Sequence, residues 1–469
     1  MLTNPILNTD SYKASHWVQY PPNTTALHSY IESRGGRYPD VTFFGLQTIL
    51  MDYLSQPITL QHVEEAAEFL QAHGEPFNID GWRYIAQTYG HFPVAIRALP
   101  EGLVVPVRTP LVTVDSTDSR VPWVASYVET MLMRLWYPTT VATISYHVKQ
   151  AIRRFLDETS DDPAGQVLFK LHDFGARGVS SFESAALGGM AHLVNFRGSD
   201  TISGVLAARR YYDEPMAAFS IPAAEHSTIT AWGRENEVKA YENMLYQYGK
   251  PGAIFACVSD SYDVFHAISS MWGGVLRQKV IDSGATLVVR PDSGDPVKVV
   301  LECADRLNAA FGSTVNGKGF RVLKHVRLIQ GDGCTPDVIE AIMTALKGAG
   351  YSIDNIAFGM GGGLLQKLDR DTLKFAMKCS AACVDGKWID VFKDPITDPG
   401  KTSKKGRLTV IYDARTHSYA TVRRDEPRSW NDSAYDAFVP VFENGHVLKR
   451  YTFAEVRANS ERAFPRQGV

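Results

Sequence analysis

His226 stands in PAAEHSTITAW, residues 222–232, between the apolar run AAFSI and a helix-patterned stretch. A neutral imidazole nitrogen can accept a proton or a phosphoryl group. Taken alone, a histidine at a helix start reads equally well as capping or local packing. Its weight comes from similar junctions along the chain. VLFKL leads into HDFGARG at 172–178, LVNF into RGSD at 197–200, and AIFACV into SDSYD at 259–263. ATLVVR leads into PDSGD at 291–295, VRLIQ into GDG at 331–333, NIAF into GMGGG at 359–363, and FAMK into CSA at 379–381.

These junctions gather His172, Asp173, Phe174, Arg177, Arg197, Asp200, Asp260, Asp263, Arg290, Asp292, Ser293, Gly294, Asp332 and Gly361–Gly363. Arginine grips phosphate or carboxylate with two parallel bonds. Glycine-rich backbone leading into a helix offers N–H groups to phosphate. Carboxylates hold Mg²⁺ or sugar hydroxyls. Each residue alone reads as a helix cap or a turn; together they favour a phosphorylated sugar or nucleotide. GMGGG lacks the Walker spacing, HDFG has no kinase signature set around it, and the His and Cys spacings give no transition-metal cluster.

The elements that must position these residues follow from the same rhythm. Counting AAFSI, there are eight short apolar runs, each followed by a polar loop and a helical pattern. The expectation is an α/β fold with a central TIM-like (β/α) barrel over residues 151–390, its loops converging over one mouth. A doubly wound open sheet is the alternative. Residues 1–150 read as a mixed α/β region, partly dimer-forming. Asp10 or Ser11 caps a short helix carrying Tyr12, Lys13 and Trp17, an arm able to reach a neighbouring subunit. A strand at Leu27–Ile31, helices over Gly45–Leu54 and Thr59–His73, and short strands over His91–Thr117 follow. Trp123–Thr143 reads as a mostly buried helix, continued by His147–Glu158. Residues 391–469 are expected to pack with the N-terminal region as one smaller mixed α/β unit.

Composition narrows the class. The chain has 469 residues, a formal net charge of -3 and 45% hydrophobic residues, room for a large core and a smaller unit but no basic surface for nucleic acid. The one dense basic run, Lys401–Arg407, is a solvated turn or a contact to a phosphorylated small molecule. The five cysteines are scattered without paired CxxC spacing, so neither a disulfide framework nor a structural zinc is expected. No signal peptide and no bilayer-length apolar run is visible, so a cytoplasmic location without membrane partners is expected.

With these motifs in view, the chain resembles the nicotinamide phosphoribosyltransferases, type II phosphoribosyltransferases. The likeness rests on TDSYK at 9–13, KLHDFGARGVSS at 170–181, VNFRGSDT at 194–201, PAAEHSTITAWGR at 222–234 and VSDSYD at 258–263. It continues through RPDSGDP at 290–296, IQGDG at 329–333, NIAFGMGGGLLQKLDRD at 355–371 and VFKDPITDPGKTSKKGRL at 391–408. The resemblance implies a homodimer with shared sites that converts nicotinamide and 5-phosphoribosyl-1-pyrophosphate (PRPP) into nicotinamide mononucleotide and pyrophosphate. It also implies Mg²⁺, and ATP hydrolysis through a phosphohistidine at His226. By the same resemblance, Phe174 and a partner's Tyr12 sandwich the pyridine ring, Asp200 accepts from the carboxamide, and Arg290 and Arg177 serve base and phosphate. Asp292 contacts the ribose, Asp260 acts beside His226, and Asp332, Gly361 and Gly362 lie near ribose and phosphate. Arg34, Arg370, Lys378 and Lys404 become polyphosphate contacts, and Asp10 enters the partner site. The metal ligands stay unassigned. Ala176 replaces a bulky aromatic of the family, and Met360 a serine.

The nearest competing reading is a nicotinate phosphoribosyltransferase, with Asp200 as discriminator, since it would meet a like charge on nicotinate. A TIM-barrel lyase would need a substrate-linked lysine or a metal-bound enolate site. A non-catalytic binding protein would have no use for His226 among Arg and Asp loops.

Overall fold

The computed structural model describes residues 4–397, 401–426 and 433–462, so Asp398, Pro399 and Gly400 of the 391–408 motif lie outside the described residues. The chain divides into two compact units. One comprises residues 1–143, 210–214 and 369–469; the other residues 144–209 and 215–368. The expected bounds of 151 and 390 for the central region differ from these at both ends.

The first unit is built on an antiparallel seven-stranded sheet. Its order is Lys387–Asp390, Phe375–Val384, Thr24–Ser33, Pro110–Ser116, Val94–Ala98, Val439–Glu443 and His446–Val447. Early and late segments therefore share one sheet. FAMK, expected as the last barrel strand, belongs here instead. It opens the ten-residue strand Phe375–Val384, which bonds to Thr24–Ser33 on one side and Lys387–Asp390 on the other. The FAMK part pairs with Tyr30–Ser33, Lys387–Asp390 pairs further along with Ala381–Val384, and both ladders are antiparallel. On one side of the unit the helix Leu60–His73 is opened by a reciprocal cap, in which the Thr59 hydroxyl accepts from the His62 amide and His62 from that of Thr59, and it ends at Gly74 with φ 92°. The core centres on Trp82, which meets Trp123 and Tyr127 edge-on with ring centres 5.0 and 4.8 Å apart.

The second unit holds a parallel sheet of six strands. Its order is Gly198–Ser199, Leu171–Asp173, Ile356–Met360, Val326–Gln330, Thr286–Arg290 and Ile254–Val258. The expected eight repeats are reduced accordingly. LVNF forms the turn after the helix Phe182–His192 rather than a strand, and only Gly198–Ser199 pairs after it. AAFSI forms no strand; Phe219 and Ala223 make isolated parallel bridges to Gly198 and Ala256, which belong to the two edge strands. Pro222 lies between the bridges and has no N–H to extend a ladder, although its carbonyl accepts from the Ala256 amide at 2.9 Å. The following helices start where the sequence punctuates them. Asp295 caps Pro296–Phe311, Thr335 caps Pro336–Gly348, and Asp263 accepts from the Phe265 and His266 amides. Asp263, expected in the mouth, is thus spent on a helix start, as is the second aspartate of DSGD.

Candidate active site

The strand Thr286–Arg290 ends in a residue that turns back onto the following loop. Arg290 Nε and Nη2 both donate to Asp292 Oδ1, at 3.0 and 2.6 Å. Asp292 Oδ2 lies 3.3 Å from His226 Nε2. From the neighbouring strand end, Asp260 Oδ2 accepts the Asp292 amide at 2.8 Å, while its Oδ1 stands 3.7 Å from the same Nε2. Ser261 Oγ lies 3.1 Å from His226 Nδ1. His226 is the first residue of the helix His226–Thr230, and its side chain is 47% exposed. Two carboxylates beside Nε2 favour the proton on that nitrogen, which leaves Nδ1 with its lone pair toward the serine hydroxyl. The Asp260 side chain is only 5% exposed, and its Oδ1 makes no hydrogen bond among the described residues. A buried carboxylate oxygen in that state calls for a cation or a donor from a ligand.

An aromatic wall stands beside this group. Phe174 follows the strand Leu171–Asp173 and donates its amide to the Met360 carbonyl at 2.9 Å. The Arg290 guanidinium carbon is 5.8 Å from the ring centre. A Cβ on Gly359 would fall 2.0 Å from Phe174 Cε2, and one on Gly331 3.3 Å away, so bare backbone on the neighbouring strands makes room for the ring. Asp200 Oδ1 accepts from Ser220 Oγ; Asp200 follows the strand Gly198–Ser199, and Ser220 follows the isolated bridge at Phe219. A cavity of ≈ 470 Å³ runs along the strands from Phe174, Asp200 and Ser220 to Lys170 and Arg327 at the strand starts. Burial pulls the Lys170 ammonium down to about 7; it donates to the Asp354 and Ile356 carbonyls at 3.1 and 3.0 Å. Burial also lowers His172, and takes His192 to about 3.

Four further expected residues sit around these. Gly361, with φ -99° and ψ -111°, precedes Gly362 at the start of the short helix Gly362–Leu365. Asp332 keeps its carboxylate exposed while its carbonyl accepts from Gln330 Nε2 at 2.8 Å. Arg177 is exposed in the turn Ala176–Gly178.

The remaining expected residues belong to the other unit, where they form a group of their own. Asp10, Tyr12, Arg370 and Lys378 line a cavity of ≈ 330 Å³ together with Glu129 and Thr130. Thr130 Oγ1 donates to Asp10 Oδ2 at 2.6 Å, Lys13 pairs with Glu129, and Tyr12 is 53% exposed. Arg34 and Lys404 share one carboxylate, Glu32, at 3.2 and 2.5 Å. Burial lowers the Lys378 ammonium; Arg34, Lys393 and Lys13 push the same way and Glu129 opposes. Arg34, Lys378, Lys393 and Lys13, gathered in this way, are an attractive seat for an anion.

Ser261, Ser220, Lys170, Arg327, Lys393 and Glu129 were not among the expected site residues. Ser261 lay inside a quoted motif, and Lys170 and Arg327 interrupt apolar runs, so each had a visible signal. Lys393 lay inside the quoted motif at 391–408, and Glu129 had no signal before the fold brought it near Lys378. Among the described residues no group of three or more His, Cys, Asp or Glu could hold a metal ion by itself, and no helix is long and apolar enough to cross a membrane. All five cysteines are free, with Cys257, Cys303 and Cys334 buried.

Known proteins resemble this chain over most of its length. The nicotinate phosphoribosyltransferase (NAPRTase) family matches residues 169–443, and the nicotinamide phosphoribosyltransferase N-terminal domain matches residues 4–96. A nicotinamide phosphoribosyltransferase of Xanthomonas campestris pv. campestris (strain 8004) is 59% identical over 463 residues, 98% of this chain and 99% of that protein. One from Acinetobacter baylyi (strain ATCC 33305 / BD413 / ADP1) is 30% identical, covering 97% and 96%. Among solved structures, nicotinate-nucleotide pyrophosphorylase from Pyrococcus furiosus superposes with a TM-score of 0.62 at 18% identity, covering 98% of this chain and 95% of that one. Human nicotinic acid phosphoribosyltransferase follows with 0.56 at 16% identity, covering 97% and 93%. At such identities the two structures speak for the fold alone.

Proposed function

The chain belongs to the nicotinate phosphoribosyltransferase family, with nicotinamide phosphoribosyltransferases as full-length relatives, and we infer from this that it transfers the phosphoribosyl group of PRPP to nicotinamide. The products are nicotinamide mononucleotide and pyrophosphate. The observation that carries the reading within the site is Asp200 at the cavity edge beside Phe174. A carboxylate there accepts from a carboxamide N–H₂ and repels the carboxylate of nicotinate.

In this reading the pyridine ring lies against Phe174, and its nitrogen attacks C1 of the ribose. The C1–oxygen bond to pyrophosphate breaks with the electron pair leaving on the pyrophosphate, and positive charge grows on the ribose. Asp292 and Asp260 are the carboxylates able to balance that charge, while Arg290 orients Asp292 and faces the ring. Arg177, Asp332 and the Gly361–Gly362 backbone serve the ribose and its 5′-phosphate.

The orphaned Asp260 Oδ1 beside Asp292 fits a divalent cation, and Asp260 and Asp292 are the residues that would hold it. Mg²⁺ held there would supply charge neutralisation of the leaving group.

His226 is assigned as acceptor of the ATP γ-phosphoryl group. Nδ1 uses its lone pair to form the P–N bond, the bond to the bridging oxygen breaks, and ADP leaves with that electron pair. The proton stays on Nε2, facing Asp292. Hydrolysis then returns phosphate and the neutral ring. The Ser261 hydroxyl steadies the attacking nitrogen before transfer.

Two assignments extend the reading. The Phe219 and Ala223 bridges are taken to close the parallel sheet into a barrel. The group of Asp10, Tyr12, Arg34, Arg370, Lys378 and Lys404 is assigned to complete the site of a second copy, because Tyr12 presents its ring to the surface beside a cation cluster. A cytoplasmic location fits such chemistry.

The test is a purified-protein assay with PRPP and Mg²⁺, comparing nicotinamide with nicotinate, with and without ATP. Turnover of nicotinamide stimulated by ATP is expected. Product from nicotinate alone would reject the substrate assignment.

A further inference from the structure

Asp173 is a fully buried carboxylic acid one residue before Phe174 and takes no direct part in the chemistry above. Its strand lies between Gly198–Ser199 and Ile356–Met360, with Asp173 in register with Ser199 and Met360. Three strand ends therefore meet at this residue. Its Oδ1 accepts the Gly175 amide at 2.7 Å, which fixes the turn just beyond Phe174. Its main-chain carbonyl accepts the Asp200 amide at 3.0 Å. One residue is thereby bonded to the turn that carries Phe174, through the Gly175 amide, and to the backbone of Asp200.

The surroundings are shaped to admit this acid. A Cβ on Gly189 would stand 3.3 Å from Asp173 Oδ2 and 2.8 Å from Thr201 Cγ2, so the helix Phe182–His192 offers bare backbone there. Oδ2 makes no bond of full hydrogen-bond geometry. Burial raises the acid to about 6; the Gly175 amide and the Thr201 hydroxyl offset part of this, and the Asp200 charge adds to it. Asp200 is the charged group facing it. The helix contributes Gly189 and the strand Ile356–Met360 contributes Met360, neither of which titrates. A fold that needed only packing here would be served by an apolar side chain.

We propose that Asp173 is a positioning residue for the base, holding the Phe174 turn and the Asp200 carboxylate at a fixed separation. The proposal rests on the assignment of those two residues to nicotinamide. It predicts that Asp173 acts on the base half of the reaction and leaves the PRPP half alone. Its ionisation adds a negative charge behind Asp200 and sharpens Asp200 as an acceptor. Asn keeps an acceptor for the Gly175 amide and loses the charge; Ala loses both.

The experiment is steady-state kinetics of the full chain, Asp173→Ala and Asp173→Asn, from pH 5 to pH 8, with thermal melting as a check of folding. Asp173→Ala is expected to raise the nicotinamide KM by about tenfold or more, a scale set by loss of one positioned polar contact, with the PRPP KM moving less than about twofold. Asp173→Asn is expected to recover most of that KM, and to flatten the rise in nicotinamide KM expected of the parent as pH falls through about 6. Equal changes in both KM values, or none, would overturn the proposal, as would an Asn variant with the parent's pH profile. If Asp173→Ala does not fold, the Asn profile decides. A parent that turns over nicotinate only would instead reject the substrate reading.

Discussion

Arg290 and Asp292 are joined through a single oxygen: Nε and Nη2 both donate to Oδ1, at 3.0 and 2.6 Å. The arrangement leaves Oδ2 available to His226 at 3.3 Å. Asp292→Ala removes the charge near C1 and the partner of Nε2 at once. A loss of about 100-fold or more in kcat is expected, the scale of removing one preorganised electrostatic group. Asp292→Asn should recover little, because shape without charge does not balance a developing cation. Rapid-quench measurement of product formation checks both variants.

His226→Ala is expected to abolish stimulation by ATP and any acid-labile phosphate label on the protein, and to lower the ATP-independent rate as well. Incubation with γ-labelled ATP, followed by acid and alkali stability of the label, reads this out. An alkali-labile label retained by the variant would move the acceptor elsewhere.

Asp200→Ala removes a charged acceptor worth about 1.5–3 kcal/mol, so the nicotinamide KM should rise by about 10- to 100-fold. The PRPP KM should stay within about twofold. Competition kinetics with nicotinate complete the test, since losing the negative charge should narrow the preference against the acid.

Gly359→Ala places a methyl group 2.0 Å from Phe174 Cε2. Strand backbone on one side and ring on the other leave no free path of relief. Overpacking of this kind costs about 1–3 kcal/mol, and displacement of the ring should weaken nicotinamide more than PRPP. Differential scanning calorimetry and the two KM values separate stability from binding.

Asp173 gives a stability prediction with a definite sign. Its folded pKa of about 6 stands above the ordinary 3.8, so the folded protein holds a proton that the unfolded chain has already released. Stability from this group is complete below about pH 4, falls as pH rises toward 6, and is flat above. Asp173→Asn should therefore gain over the parent between pH 4 and 6 and keep that gain at pH 8, by about 3 kcal/mol at most. Urea unfolding across this range is the measurement.

Local punctuation made much of the fold legible. Thr59, Asp295 with Pro296, and Thr335 with Pro336 open helices where the sequence marks them. The apolar runs ending at Val258, Arg290 and Gln330 are strands. What misled was the assumption that every apolar run joins the same sheet. FAMK has the composition of a barrel strand, but its partner is Thr24–Ser33, and nothing local to it reveals so distant a neighbour. In the site, Asp260, Asp292 and Arg290 were legible from residue type and position at or after a strand end, and His226 from its place at a helix start. Ser220 was harder, because a serine inside an apolar run has no distinguishing pattern. The division of labour among aspartates was hidden too. Asp263 and Asp292 look alike in sequence, and only the bonds they make separate a helix cap from a site carboxylate.

The sharing of one sheet by early and late segments sets a clock on biosynthesis. Thr24 finds its partner Val384 only after most of the message has been read, and Val94–Ala98 waits almost as long for Val439–Glu443, which is made last. At ~5–20 residues per second that is a delay on the order of tens of seconds, with unpaired strand edges awaiting completion on the ribosome. The unit of residues 144–209 and 215–368 has all its strands in hand before then. Nascent chains released early should therefore carry a protease-resistant inner fragment flanked by a susceptible N-terminal segment.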